Sequence, residues 1–86
     1  MKIKEGFILR TIAGETVALP TAGVTNFDMM ITLNDTGRFL WERLSMGAEL
    51  GELVDALLSE YDVDRETAER SVLAFTNRLK ELNFLA

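Results

Sequence analysis

The 86-residue chain contains no histidine and no cysteine. With them go the commonest general base, the commonest transition-metal ligands, the thiol nucleophile and any disulfide framework. A chain without cysteine pairs fits a reducing compartment, and a cytoplasmic location is expected. There is one proline, and 48% of the residues are apolar, a composition that excludes a disordered chain. No apolar run approaches the ~20 residues of a membrane span. The opening residues, MKIKEGFILRTIAGETV, lack the continuous apolar stretch of a signal peptide. Basic residues are few, 9 against 14 acids, for a net charge of −5. Nucleic-acid binders carry the opposite footprint, so neither nucleic acid nor a membrane is expected as a partner. A chain of this length makes one domain, residues 1–86, with little volume for a deep active-site cavity beside its core.

The residues that remain are poor material for catalysis. Ser45, Ser59 and Ser71 have no base partner, and no Ser-x-x-Lys pattern occurs. Lys2, Lys4 and Lys80 lack the apolar surround that a nucleophilic lysine needs. No glycine-rich phosphate loop ending in Gly-Lys-Ser/Thr is present. Asp62, Asp64 and Glu66 resemble a calcium loop only superficially, because its glycine and terminal glutamate are missing. The expectation is a non-enzyme with no cofactor and no metal.

Periodicity supplies the architecture. Gly6–Ile12 is rich in β-branched and aromatic residues, Ala13-Gly14-Glu15 reads as a three-residue turn, and Thr16–Pro20 returns as a second strand that Pro20 ends or confines to an edge. Thr21–Asp28 carries Thr, Gly, Asn and Asp and reads as a loop. Met29–Leu33 is a third strand, with Met29, Ile31 and Leu33 on one face and Met30 and Thr32 on the other. Asn34 then starts a helix, with Asp35 in the first turn where the helix dipole favours an acid. Gly37, Leu40, Trp41 and Leu44 are its core stripe, and Gly37 suggests a close packing approach. A second helix, Ala48–Tyr61, buries Leu50, Leu53, Val54, Leu57, Leu58 and Tyr61 and exposes Glu49, Glu52, Asp55 and Glu60. Asp64 caps a third helix that runs to about Leu82, with Ala68, Val72, Phe75, Leu79 and Leu82 as its stripe. Arg65, Glu69, Leu73, Thr76 and Lys80 lie on one flank of that stripe. The order β-β-β-α-α-α predicts an α+β domain.

Met30–Leu44, MITLNDTGRFLWERL, together with ELVDALLSEYDVD and AERSVLAFTNRLKELNFL, resembles the PqqD family. Leu33-Asn34-Asp35-Thr36-Gly37 with Leu40-Trp41 is the strongest piece, and the likeness runs from Met1 to Leu85. The resemblance implies a small winged helix-turn-helix-like domain, a three-stranded antiparallel sheet followed by three helices. It also implies a peptide chaperone, or recognition element, for ribosomally made and post-translationally modified peptides. Such a protein binds the leader region of a precursor peptide and presents it to a modifying enzyme, often a radical S-adenosylmethionine enzyme. In the family the leader adds a strand to the third strand, beside the third helix.

Mapped onto this sequence, the template strand is Met29, Met30, Ile31, Thr32 and Leu33. Val72, Leu73 and Thr76 are the expected helix wall of the cleft, with Arg65, Glu69 and Lys80 along the same flank. Arg65 and Lys80 are expected to meet acidic leader residues at the rim. One departure from the family pattern falls in SMGAELGEL, where Glu49 stands near the position of a capping threonine. Two other readings compete. A DNA-binding winged helix shares the architecture, although the third helix mixes Arg65, Arg70, Arg78 and Lys80 with Glu66, Glu69 and Glu81. A structural homodimer joined through the third-strand edge is the other.

Overall fold

The computed structural model describes residues 1–20 and 30–86. Strands β1 (Phe7–Ile12) and β2 (Glu15–Pro20) form an antiparallel hairpin with Ile12 opposite Glu15. The turn is therefore the two residues Ala13 and Gly14, at φ 53° and 83°, and Glu15 belongs to the strand. This shortens the expected three-residue connection by one. Two consecutive left-handed residues twist the chain as the flanking strands twist, and Gly14 adopts that geometry without a side-chain penalty. Pro20 is the last residue of β2, opposite Phe7.

β3 (Ile31–Leu33) pairs antiparallel with β2, placing Thr16 opposite Leu33 and Ala18 opposite Ile31. The sheet order is β1-β2-β3, so among the described residues β3 is an edge. Ile31 and Leu33 are buried while Met30 and Thr32 are exposed, the alternation expected of a half-buried strand. The loop reading of Thr21–Asp28 and the strand assignment of Met29 lie outside the described residues.

Helix α1 (Asp35–Met46) begins where the side chain of Asn34 accepts a hydrogen bond from the Gly37 amide at 2.8 Å. Gly37, Leu40, Trp41 and Leu44 are its buried residues, as the stripe predicts. Helix α2 (Leu50–Glu60) starts with a capping box in which Glu49 and Glu52 satisfy each other's backbone donors. The departure from a threonine cap is thus absorbed by a glutamate doing the same work. Helix α3 (Arg65–Glu81) is capped by Asp64, whose carboxylate accepts from the Thr67 amide at 2.7 Å.

The core joins Ala18, Ile31 and Leu33 of the sheet to Leu40, Trp41, Leu44, Leu53, Leu57, Ala68, Val72 and Leu79 of the helices. Two further members were not visible as periodic positions: Ile3 and Phe84, 6% and 0% exposed. They meet because residues 2–4 pair with residues 84–86, through an Ile3–Leu85 bridge and flanking amide bonds. Phe84 packs its ring 4.4 Å from Phe7, with Trp41 edge-on to both. Thr76, read as a flank residue, is 1% exposed, and its hydroxyl donates to the Val72 carbonyl at 2.9 Å. That bond satisfies the hydroxyl inside the helix and lets a polar residue occupy a core position.

Candidate functional site

The hairpin register determines what the β3 edge offers. In a two-residue hairpin the closing pair, Ile12 and Glu15, exchanges both backbone hydrogen bonds, and bonded pairs then recur at every second residue. Val17 and Leu19 therefore turn their backbone groups toward β1, and Thr16 and Ala18 turn theirs toward β3. Leu33 and Ile31 are their partners. Thr32, opposite Val17, has its N–H and C=O directed away from β2, to an edge that no described strand covers. Its side chain faces outward, and those of Ile31 and Leu33 face the helices.

Beside that edge lies a cleft of about 570 Å³, lined by Ile31, Thr32 and Leu33, the hairpin end Gly14–Thr16, the start of α1, and Phe75 and Arg78 of α3. A second depression of about 340 Å³ shares Asn34, Gly37, Phe75 and Arg78 and extends to Thr36, Leu40, Ser71 and Ala74. Gly37 is what lets the walls meet. A Cβ there would lie 3.2 Å from the Asn34 Oδ1, 3.4 Å from the Phe75 ring and 3.6 Å from the Leu33 Cβ. The close approach expected at Gly37 is therefore that of the Phe75 ring and the capping side chain. The cleft has apolar walls at Phe75 and Leu33 and charged groups at Glu15, Asp35 and Arg78. Arg78 forms no ion pair with a described residue.

The other flank of α3 borders a different groove. Arg65, Glu69, Val72 and Leu73 line about 260 Å³ with Leu50, Gly51 and Val54 of α2. Arg65 reaches across to Asp55 at 3.4 Å, and Leu73 is 47% exposed. Of the expected helix wall, Val72 and Leu73 line the α2 groove and Thr76 lies in the core, so none of the three lines the cleft beside β3. Lys80 is exposed, and neither it nor Arg65 lines the cleft. The structure brings together Ile31, Thr32 and Leu33 but not the α3 residues assigned with them.

Phe75, expected in the core stripe, and Arg78, expected only among the bases of the third helix, are the α3 residues that line the cleft beside β3. At 100° per residue both fall on the side of Val72 opposite to Leu73. The stripe was visible in the sequence, and which of its flanks turned to β3 was not.

Among the described residues no cluster of acids could hold a metal ion, and no helix is long and apolar enough to cross a membrane. The bonds Asp64 accepts from Thr67, side chain first and then amide, hold its carboxyl below the ordinary value of 3.8. It serves the α3 cap and is not part of the cleft.

The site is thus an edge strand among the described residues, set beside a helix wall that carries Phe75 and Arg78, in a small α+β domain. The chain belongs to the PqqD family: the family model for coenzyme PQQ synthesis protein D matches residues 15–85. Two solved structures resemble it over nearly its full length. TbiB1, in complex with the TbiA(beta) leader peptide, is 33% identical, with a TM-score of 0.76 over 99% of this chain and 94% of the other. Lasso peptide synthetase B1, complexed with the leader peptide, is 28% identical, with a TM-score of 0.70 over 93% of this chain and 89% of the other. No curated protein matches the chain.

Proposed function

We propose that this protein is a non-catalytic peptide chaperone, acting as one recognition unit over residues 1–86. It binds the leader of a ribosomally made precursor peptide as a fourth strand on β3 and presents the peptide to a modifying enzyme. The observation that carries the reading is the Thr32 backbone, unpaired among the described residues beside the Phe75 wall, in a chain similar to two solved proteins that are each complexed with a leader peptide.

Magnitudes say what the cleft must add. The two edge bonds of Thr32, at about 0.5–1.5 kcal/mol net each, fall well short of the ~8 kcal/mol of micromolar binding. Two or three leader side chains buried at about 1.5–3 kcal/mol each close the gap, less the cost of ordering the peptide. Phe75, Leu33 and Gly37 offer the apolar surface for one of them. In this reading the binding residues are Met29, Met30, Ile31, Thr32 and Leu33 with Phe75 and Arg78, and the Arg65–Leu73 flank is a separate surface.

The enzyme served is proposed to be of the radical S-adenosylmethionine type, on the family likeness to a coenzyme PQQ synthesis protein. A second reading of that partner rests on the likeness to lasso peptide synthetase B1, and makes the enzyme a lasso peptide synthetase component. Pull-down with each enzyme class separates the two.

The function is tested by titrating isotopically labelled protein with the leader of a short precursor peptide encoded beside its gene. Amide shifts are expected at Ile31–Leu33 and along Ser71–Arg78. Saturation without any shift at Thr32, or shifts confined to the Leu50/Val54/Leu73 groove, would contradict strand addition.

A further inference from the structure

The cleft also carries information about the peptide it takes, and this inference rests on the strand-addition reading. A guest strand hydrogen-bonded to Thr32 keeps the pleat of the sheet. Its residue opposite Thr32 points outward with Thr32, and the residues on either side of it point inward with Ile31 and Leu33. Two guest side chains, at positions i and i+2, are thereby directed toward α3.

The α3 wall they meet is unusual for this protein. The chain is acidic overall, and Glu66 and Glu69 lie with Leu73 on the flank away from the cleft. The cleft flank presents Ser71, Ala74, Phe75 and Arg78, and in the second depression Arg78 is the sole charged lining residue. Glu15 and Asp35 enter only the first, at the hairpin end, where Asp35 sits in the first turn of α1 and is offset by the helix dipole. Neither forms an ion pair with Arg78, whose guanidinium has no charged partner among the described residues. Arg38, Arg65 and Arg70 each have one; Arg10 and Arg43 have none among the described residues, but neither lines the cleft.

We infer that Arg78 is a specificity-determining residue that reads a carboxylate on the leader. The ligand class is an extended segment with an apolar side chain against Phe75 and Leu33 and, two residues away, an Asp or Glu for Arg78. The fork of the guanidinium suits a carboxylate in two-point contact, and the pairing discriminates against a leader that places a lysine there.

The probes are the synthetic leader of the adjacent precursor peptide and versions in which each acidic residue is singly replaced by lysine. Binding is measured by calorimetry to wild type, Arg78→Ala and Arg78→Glu, with Leu73→Ala as a surface control. Arg78 is exposed, so all variants should fold, and an unchanged thermal midpoint verifies this. Arg78→Ala is expected to weaken binding about fivefold and Arg78→Glu about thirtyfold, in the range of interfacial charge pairs. One lysine peptide should bind Arg78→Glu better than wild type does. The wild-type affinity should also fall with added salt more steeply than that of Arg78→Ala.

Tight leader binding that is within twofold for all Arg78 variants, or a bound leader with no acid two residues from an apolar side chain, overturns the inference and leaves strand addition standing. No binding of the leader by wild type removes both.

Discussion

The two flanks of α3 have similar sequence credentials and different surroundings. Both lie beside the same buried line of Ala68, Val72 and Leu79, and both contain an apolar residue and a base: Leu73 and Lys80 on one, Phe75 and Arg78 on the other. One flank packs toward α2 and leaves Leu73 half exposed over a small groove crossed by the Arg65–Asp55 ion pair. The other turns to β3, where Gly37 admits the Phe75 ring and Arg78 stands unpaired among the described residues. A helix stripe therefore identifies a pair of candidate walls, and the neighbouring element selects between them.

That contrast can be broken at its base by removing the line both flanks share. Leu79→Ala empties a site with no exposure and should cost about 2–5 kcal/mol, a large fraction of the ~5–10 kcal/mol available to such a domain. Urea unfolding measures the loss, and leader binding should fall with the folded fraction.

The comparison is sharpened by trimming each flank separately. Phe75→Ala should weaken leader binding about tenfold or more, the value of one well-buried aromatic contact. Leu73→Ala should change stability by no more than about 0.5 kcal/mol and leave leader affinity unaltered. The opposite pattern in a titration would return the site to the α2 flank.

Smaller effects come from the caps that hold the two walls. Asn34→Ala removes the bond to the Gly37 amide and should cost about 1 kcal/mol in thermal unfolding, loosening the cleft floor at the same time. Asp64→Asn should alter acid stability with little change at neutral pH. The folded carboxyl titrates below its unfolded value, so the cap's contribution is complete above pH 3.8 and is lost as pH falls through the lower folded value. The asparagine variant, which caps without titrating, should lose less stability than wild type over that acid range. Acid unfolding curves that superimpose would contradict this.

What the sequence determined by itself was local. Alternation at Ile31-Thr32-Leu33, the caps at Asn34 and Asp64, and the 3.6-residue stripes of three helices are written in neighbouring residues, because backbone geometry makes each a short-range property. The Leu33–Trp41 stretch was enough to suggest the family, and the match over residues 15–85 bears that out. Other features needed the chain to close on itself. Phe84 and Ile3 became core only because residues 2–4 and 84–86 pair, a contact spanning nearly the whole length. Thr76 could be buried because its own helix satisfies its hydroxyl. The cleft wall is Phe75 and Arg78 because α2 covers the other side of the stripe, and periodicity carries no record of which neighbour a flank meets.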